Sequence, residues 1–218
     1  MRKTVDYVRR NFHYIRPLEW QAAAKALYRR FSRSGIFISE DEMPLCSLFP
    51  EQMLSKVVAR FNPKSVLDVG CGTGRALEFF LSKGIDAVGI EGSAIARAKS
   101  LHPDRIIPCD LRKPVDLGRT FDLVWCFEVA EHIHSRFTDV FVQTMARHAP
   151  VVVMSAAPPG QGGEGHFNEQ PKDYWIAKVA EAGFKLDTEA TAELADTREF
   201  YSDNIMVFVR EQSENRFL

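Results

Sequence analysis

The sequence predicts a doubly wound α/β domain, and three observations carry that prediction. Short apolar runs alternate with helical stretches from residue 63 onwards. The first run ends in a glycine-rich turn, VLDVGCGTGR. The 218 residues are 45% hydrophobic and 26% charged, which supplies one ordinary core and excludes disordered and low-complexity classes.

From Pro17, PLEWQAAAKALYRRFSRSG spaces Trp20, Ala23, Ala24, Leu27 and Phe31 along one helical face, with Gly35 to end it. IFISEDEMPLCSLFP is an irregular link with two prolines, and a second helix, EQMLSKVVARF, follows Pro50. The expected division is an N-terminal helical cap segment over residues 1–60 and the α/β domain over 61–218. After Asn62-Pro63 come the runs SVLDVG, GIDAVGIEG, DRIIPCD, FDLVWCF and PVVVMSA. ALEFFLSK, SAIARAKSL and SRFTDVFVQTMARH separate them, and PKDYWIAKVAEAGF follows the last. Short buried runs between helices suit a parallel sheet covered on both faces. FKLDTEAT and NIMVFVRE suit two closing strands.

The net charge of −1 hides an asymmetry. Residues 1–35 hold nine Lys/Arg against Asp6 and Glu19, and the rest of the chain carries 19 basic against 27 acidic residues. Such an arm can attract polyanions, but it bears no nucleic-acid motif and is read as the solvated face of a helical segment. Cys46, Cys71, Cys109 and Cys126 form no C-x-x-C pair, which suits a reducing compartment. The N-terminus has no secretory apolar stretch, and no run approaches the roughly 18 apolar residues of a membrane span. The expectation is a cytoplasmic protein without a membrane partner.

In doubly wound sheets, ligands sit beyond the carboxyl ends of the strands, where the strand order reverses. The first run is followed by Gly70, Gly72 and Gly74, with Asp68 two residues before the first of them. A dinucleotide turn would need Gly or Ala at position 75, which is Arg75, and the phosphate-binding G-K-[ST] is absent. The second run ends on Glu91, a carboxylate able to accept from both hydroxyls of a ribose. The third ends on Asp110, able to accept from an exocyclic adenine amine. Any one of these acids alone reads better as a helix cap or a solvated loop carboxylate. Acids at three consecutive strand tips, with a glycine turn at the first, favour an adenosine-like ligand.

VLDVGCGTGR, GIEGS, CDL and FDLVWCFEVAEHI resemble, in order and spacing, the cofactor motifs of class I S-adenosylmethionine-dependent methyltransferases, over about residues 62–210. The resemblance implies a Rossmann-like, seven-stranded, mostly parallel sheet with NIMVFVRE antiparallel, and S-adenosyl-L-methionine as cofactor. It implies that Asp68 and the turn Gly70, Cys71, Gly72 and Gly74 meet the methionine part of the cofactor. Glu91 with Gly92 would hold the ribose, Asp110 with the Leu111 backbone would read the adenine, and Phe127 would complete the cofactor site.

Methyl transfer to oxygen or nitrogen can require removal of a proton, and His132, His134 and His166 are candidate bases. His132 and His166, after the fourth and fifth runs, are taken as catalytic, with the glycine-rich PPGQGGEGHFNEQ as a lid over the acceptor. A helix beginning near Glu128 would place Glu128, Glu131 and His132 on one face. With His166 they would resemble the metal site of small-RNA 2′-O-methyltransferases. The same E-V-x-E-H also occurs in methyltransferases that use no metal, and no residue is assigned as a metal ligand. The positions after the fourth run read Phe127, Glu128, Val129, Ala130 rather than [DN]-P-P-[YF], which argues against methylation of exocyclic amines on DNA bases. Tyr174 and Trp175 suit either an acceptor pocket or the core. The expected activity is methyl transfer to an oxygen or nitrogen of a small molecule. The alternatives are an RNA methyltransferase and a non-catalytic cofactor-binding regulator.

Overall fold

The structure is a computed structural model that describes residues 49–163 and 165–211. The helix expected from Pro17 and the basic arm lie outside the described residues. The first described helix, α1 (Glu51–Phe61), follows Pro50 and ends where Asn62 turns left-handed at φ 43°. Pro50 supplies no side-chain cap. The distant Glu199 carboxylate takes that role, accepting the N–H groups of Gln52 at 3.0 Å and Met53 at 2.7 Å. Met53, Leu54 and Val57 line the buried face and pack with Leu77, Phe80 and Leu123. The expected boundary at residue 60 therefore falls within a helix whose buried face belongs to the core of the α/β domain.

Seven strands follow: β1 (Ser65–Val69), β2 (Asp86–Glu91), β3 (Ile106–Pro108), β4 (Leu123–Cys126), β5 (Val151–Met154), β6 (Phe184–Leu186) and β7 (Met206–Arg210). They form one sheet in the order β3-β2-β1-β4-β5-β7-β6. All neighbours are parallel except β7, which runs antiparallel to both β5 and β6. The chain winds from β1 outward to β3 and returns to β4 beside β1, so the crevice lies beyond the tips of β1 and β4.

The helices are α2 (Arg75–Ser82), α3 (Ala94–Ala98), α4 (Thr138–His148), α5 (Lys172–Ala180) and α6 (Thr188–Ala195). Successive strand residues point to opposite faces, and the core is accordingly double. Leu67, Val69, Val124 and Cys126 pack with Phe141, Met145 and Trp175 on one face. Val66, Leu123, Trp125 and Val207 pack with Leu54, Phe80 and Leu194 on the other. Trp175 is fully buried there, and Tyr174 donates its hydroxyl to Thr138 Oγ1 at 3.2 Å, so this pair belongs to the core. Among the described residues, no helix is long and apolar enough to cross a membrane.

The run FKLDTEAT is a strand only over Phe184–Leu186. Asp187 then caps α6, its Oδ1 accepting Ala190 N–H at 2.9 Å, and the alanine-rich stretch beyond it is helical. Arg60 ties α1 to this helix through Glu193 at 2.8 Å, Glu189 at 3.3 Å and Asp187 at 3.6 Å. Asp187→Ala is expected to cost about 1 kcal/mol, a fall of roughly 2–4 °C in thermal midpoint for a chain of this size. A melting curve checks it, and an unchanged midpoint would mean that packing alone holds α6.

Candidate functional site

At the tip of β1 the chain reverses through Gly70, Gly72 and Gly74, with φ of 71°, 56° and 81°. Gly70 is required twice over. Its φ is left-handed, and a Cβ there would lie 2.6 Å and 2.7 Å from the two Val129 methyl carbons. Gly70 N–H and Cys71 N–H both donate to Ile90 O, which stitches the turn to β2. The Glu91 carboxylate accepts Gly72 N–H at 2.8 Å on one oxygen and Ser93 N–H at 2.6 Å on the other. Gly92 lies between Glu91 and Ser93, and the Ser93 hydroxyl in turn caps α3. Each Glu91 oxygen keeps a lone pair for a further donor. Burial raises the Glu91 carboxyl, and these N–H groups oppose the rise.

Asp68 is 3% exposed, and its Oδ2 has no hydrogen-bond partner. Burial first, and then the charge of Glu91, push its carboxyl up to about 8. The Cys71 thiol is pushed well above its ordinary value, again by burial before the neighbouring acids, and it is not a nucleophile at neutral pH. The unpartnered, buried Asp68 oxygen fits the methionine ammonium and sulfonium of the implied cofactor, and the Glu91 lone pairs fit a ribose.

Asp110 reaches the tip of β3 but is already gripped. Arg112 Nε donates to Oδ1 at 2.7 Å, Arg112 NH2 donates to Oδ2 at 3.0 Å, and Arg112 N–H donates to Oδ1 at 3.1 Å. The guanidinium holds the carboxyl below its ordinary value. Two Arg112 donors fill Oδ1, so Oδ2 is the oxygen left for an incoming amine. Leu111, beside it, is buried in the core.

Beyond β4, Phe127 lies flat on Trp125, with centroids 5.4 Å apart and 8° between planes, and it meets Tyr201 at 6.5 Å. The helix expected from Glu128 does not form. Glu128 is left-handed at φ 52°, and only a short 3-10 turn, Ala130–His132, follows. Gln161, Asn204 and Ser155 hold Glu128, whose side chain stays beside that of Glu131. Gln161 Nε2 donates to Glu128 Oε2 at 3.0 Å, Asn204 Nδ2 donates to its Oε1 at 3.1 Å, and its N–H donates to Ser155 Oγ at 2.8 Å.

Glu131 is fully buried, and neither carboxylate oxygen has a hydrogen-bond partner. Burial and then the charge of Glu128 raise its carboxyl well above the ordinary range. His132 and His166 meet edge to face at 4.9 Å, and one ligand atom from each of Glu131, His132 and His166 lies within 4.8 Å of the others. The sequence assigned no metal ligand, yet this donor set suits a divalent ion of the zinc or manganese type. His166 Nδ1 is 2.9 Å from Glu169 Oε1, and His132 Nδ1 is 3.2 Å from Gly165 O. Glu169 also accepts Gly160 N–H at 2.8 Å and Gly162 N–H at 2.7 Å, so one carboxylate folds the glycine loop and orients the imidazole. Phe167 and Asn168 N–H dock the loop on Glu131 O. His134 caps the next turn by accepting Arg136 N–H, which gives the third histidine a local role.

The sequence thus located both groups: the tip acids of β1, β2 and β3, and the histidine pair beyond β4 and β5. It missed Arg112, Gln161, Glu169, Tyr201 and Asn204. Only Arg112, two residues after Asp110, and Glu169, three residues after His166, carried a local trace of their roles.

Sheet order, the glycine turn and the tip carboxylates define a class I S-adenosylmethionine-dependent methyltransferase fold. The chain belongs to the methyltransferase-domain family, whose model matches residues 45–189. A ubiquinone biosynthesis O-methyltransferase of Rhodopseudomonas palustris (strain HaA2) is 30% identical over 128 residues, 56% of this chain and 42% of its own length. The chain spans about half the length, or less, of such curated relatives. The sugar N-methyltransferase KedS8 from Streptoalloteichus sp. ATCC 53650 superposes with a TM-score of 0.61 at 22% identity, over 87% of this chain and 93% of that one. A small RNA methyltransferase, HEN1, superposes with a TM-score of 0.57 at 15% identity, over 75% of this chain and 25% of that one.

Two outcomes follow from this geometry. Gly70→Ala should abolish measurable cofactor binding in calorimetry, because both the angle and the space are denied; retained affinity would mean that the turn is not the binding turn. For Asp68 the folded carboxyl holds its proton up to about pH 8, whereas the unfolded chain releases it near pH 4. The folded state therefore binds more protons between those values, and ligand-free stability falls as pH rises from about 4 to about 8. Asp68→Asn removes that loss and should melt several degrees above the parent at pH 8. A lower midpoint for the Asn variant across this range would show Asp68 ionised and paired.

Proposed function

We propose that the protein transfers the methyl group of S-adenosylmethionine to a hydroxyl or amine of a small-molecule acceptor seated over the tips of β4 and β5. The observation that carries this reading is the oriented histidine. Glu169 accepts from His166 Nδ1, which leaves Nε2 as the basic nitrogen, beside His132 and across the switch point from the tip acids of β1 to β3. The O-methyltransferase and sugar N-methyltransferase relatives add support for an oxygen or nitrogen acceptor.

In this reading Glu91 accepts the ribose hydroxyls, Asp110 Oδ2 and the Leu111 backbone read the adenine, and Asp68 with the 70–74 turn faces the methionine part. Phe127 walls the passage between the two halves. The bound cofactor supplies a methyl carbon on a positively charged sulfur, with a neutral thioether as leaving group. His166 Nε2 would take the proton of the acceptor hydroxyl or amine as the methyl group is transferred. Glu169 stabilises the imidazolium, in the manner of an acid that orients a catalytic histidine. Positioning of the two reactants supplies much of the rate, about 7–11 kcal/mol for well-oriented groups. The glycine loop closes over the pair and limits water. The free thiols of Cys71, Cys109 and Cys126 suit the reducing cytosol.

A second reading, a divalent cation held by Glu131, His132 and His166, is favoured by the unpartnered, buried Glu131 carboxylate. Glu169 would then fix the His166 tautomer from the outer shell. The ion would lower the pKa of an acceptor hydroxyl, as for a ribose 2′-hydroxyl of RNA.

His166→Ala should lower the single-turnover rate by roughly 10²–10⁴ and leave cofactor affinity nearly unchanged. Assays with EDTA, and with added Mn²⁺ or Mg²⁺, separate the two readings. Chelator-insensitive activity selects the base, and loss restored by metal selects the ion. Unchanged turnover in His166→Ala contradicts both.

A further inference from the structure

We propose that Glu128, Gln161 and Asn204, with the aromatic step of Phe127 and Tyr201, recognise a sugar ring in the acceptor through two adjacent hydroxyls. The proposal rests on the transferase reading above and names the acceptor class.

The topology sets the place. β7 is antiparallel to β5, so Met206, its first residue, lies opposite Met154 at the carboxyl edge of the sheet. The segment 199–204 that feeds β7 therefore stands over the tips of β4 and β5, on the acceptor side. It is anchored at both ends, by Glu199 on the α1 N–H groups and by Asn204 on Glu128. Between the anchors, Tyr201 is held left-handed at φ 57° and faces the Phe127 ring. Among the described residues, four other than glycine have positive φ: Asn62, which ends α1, and Glu128, Arg198 and Tyr201. Two of the four, Glu128 and Tyr201, thus belong to Glu128 and the segment that contacts it, with Arg198 just before that segment, and such strain collects at functional sites. Phe200 and Tyr201 are 64% and 36% exposed, so an aromatic surface is open at this rim.

The polar chemistry sets the ligand. Asn204 Nδ2 donates to Glu128 Oε1 and also to Gln161 Oε1 at 2.9 Å, while Gln161 Nε2 donates to Glu128 Oε2. The carboxylate is thereby held with one amide donor per oxygen, beside the Glu131 carboxyl, and a carboxylate oxygen can accept a second donor. Two hydroxyls on neighbouring carbons present two donors at matching separation. The Phe127 and Tyr201 rings offer an apolar surface to the C–H face of the same ring. A flat phenol would use the aromatic surface and leave the amide–carboxylate array unused. A phosphate backbone would meet the Glu128 charge.

The test starts with calorimetry of S-adenosylmethionine binding; no binding overturns the transferase reading and this proposal with it. Labelled-methyl transfer is then assayed on methyl glycosides and nucleoside-diphosphate sugars of the gluco, galacto and N-acetylglucosamine types, on catechol, and on a short RNA. Label in the sugars is expected, with Gln161→Ala and the exposed-site variant Tyr201→Ala each raising the sugar KM by about tenfold. Cofactor affinity should hold in both variants. Label confined to catechol or RNA, or no label in any sugar by a protein that binds the cofactor, overturns the sugar proposal alone. So does sugar transfer whose KM neither variant changes.

Discussion

Buried carboxyl groups at the carboxyl edge of the sheet are the constraint on which the rest of this structure depends. Asp68 and Glu131 are nearly or fully excluded from water, and each has at least one carboxylate oxygen without a partner. Burial raises both, and a neighbouring acid adds to each: Glu91 for Asp68 and Glu128 for Glu131. An unpaired buried charge is costly, so such groups either keep their protons or await a cation. The fold keeps two such carboxyl groups, Asp68 in β1 and Glu131 beyond β4. One suits the cationic end of a sulfonium cofactor, and the other suits an imidazolium or a metal ion.

The winding of the chain keeps the two apart. Asp68, Glu91 and Asp110 stand at the tips of β1, β2 and β3, whereas His132 and His166 follow β4 and β5. Val129 joins the halves physically, because its methyl groups occupy the space that a side chain at Gly70 would need. A change at the turn after β4 is therefore felt directly by the glycine turn after β1. Glu169 performs a comparable coupling on the far side, where one carboxylate both closes the glycine loop and fixes the imidazole.

Most of the fold was legible because it rests on local pattern. The strands are short apolar runs bounded by turns, and EQMLSKVVARF is a helix over the residues its apolar spacing marks. Two local readings failed for identifiable reasons. DTEAT was included in the closing strand run FKLDTEAT, but Asp187 is a helix cap whose effect outweighs the β-branched Thr188 and Thr191. The i, i+3, i+4 spacing of Glu128, Glu131 and His132 presumed a helix that the left-handed Glu128 prevents, so tertiary contacts with Gln161 and Asn204 decide that turn. The tip acids were legible because strand and glycine turn mark them in sequence. Asn204 and Tyr201 were not, since their partners Glu128, Gln161 and Phe127 lie far away in sequence and the entry to the antiparallel β7 brings them together.

The central claim, that a buried protonated acid awaits a cationic cofactor, is tested most directly by proton linkage. S-adenosylmethionine is titrated calorimetrically at pH 7 in two buffers of different ionisation enthalpy. The account predicts release of up to about one proton on binding, as Asp68 ionises against the incoming positive charge, and an affinity that rises towards pH 8. The demethylated product, which lacks the sulfonium charge, should release less. Binding with no proton release, and with the same affinity at pH 6 and pH 8, would contradict it.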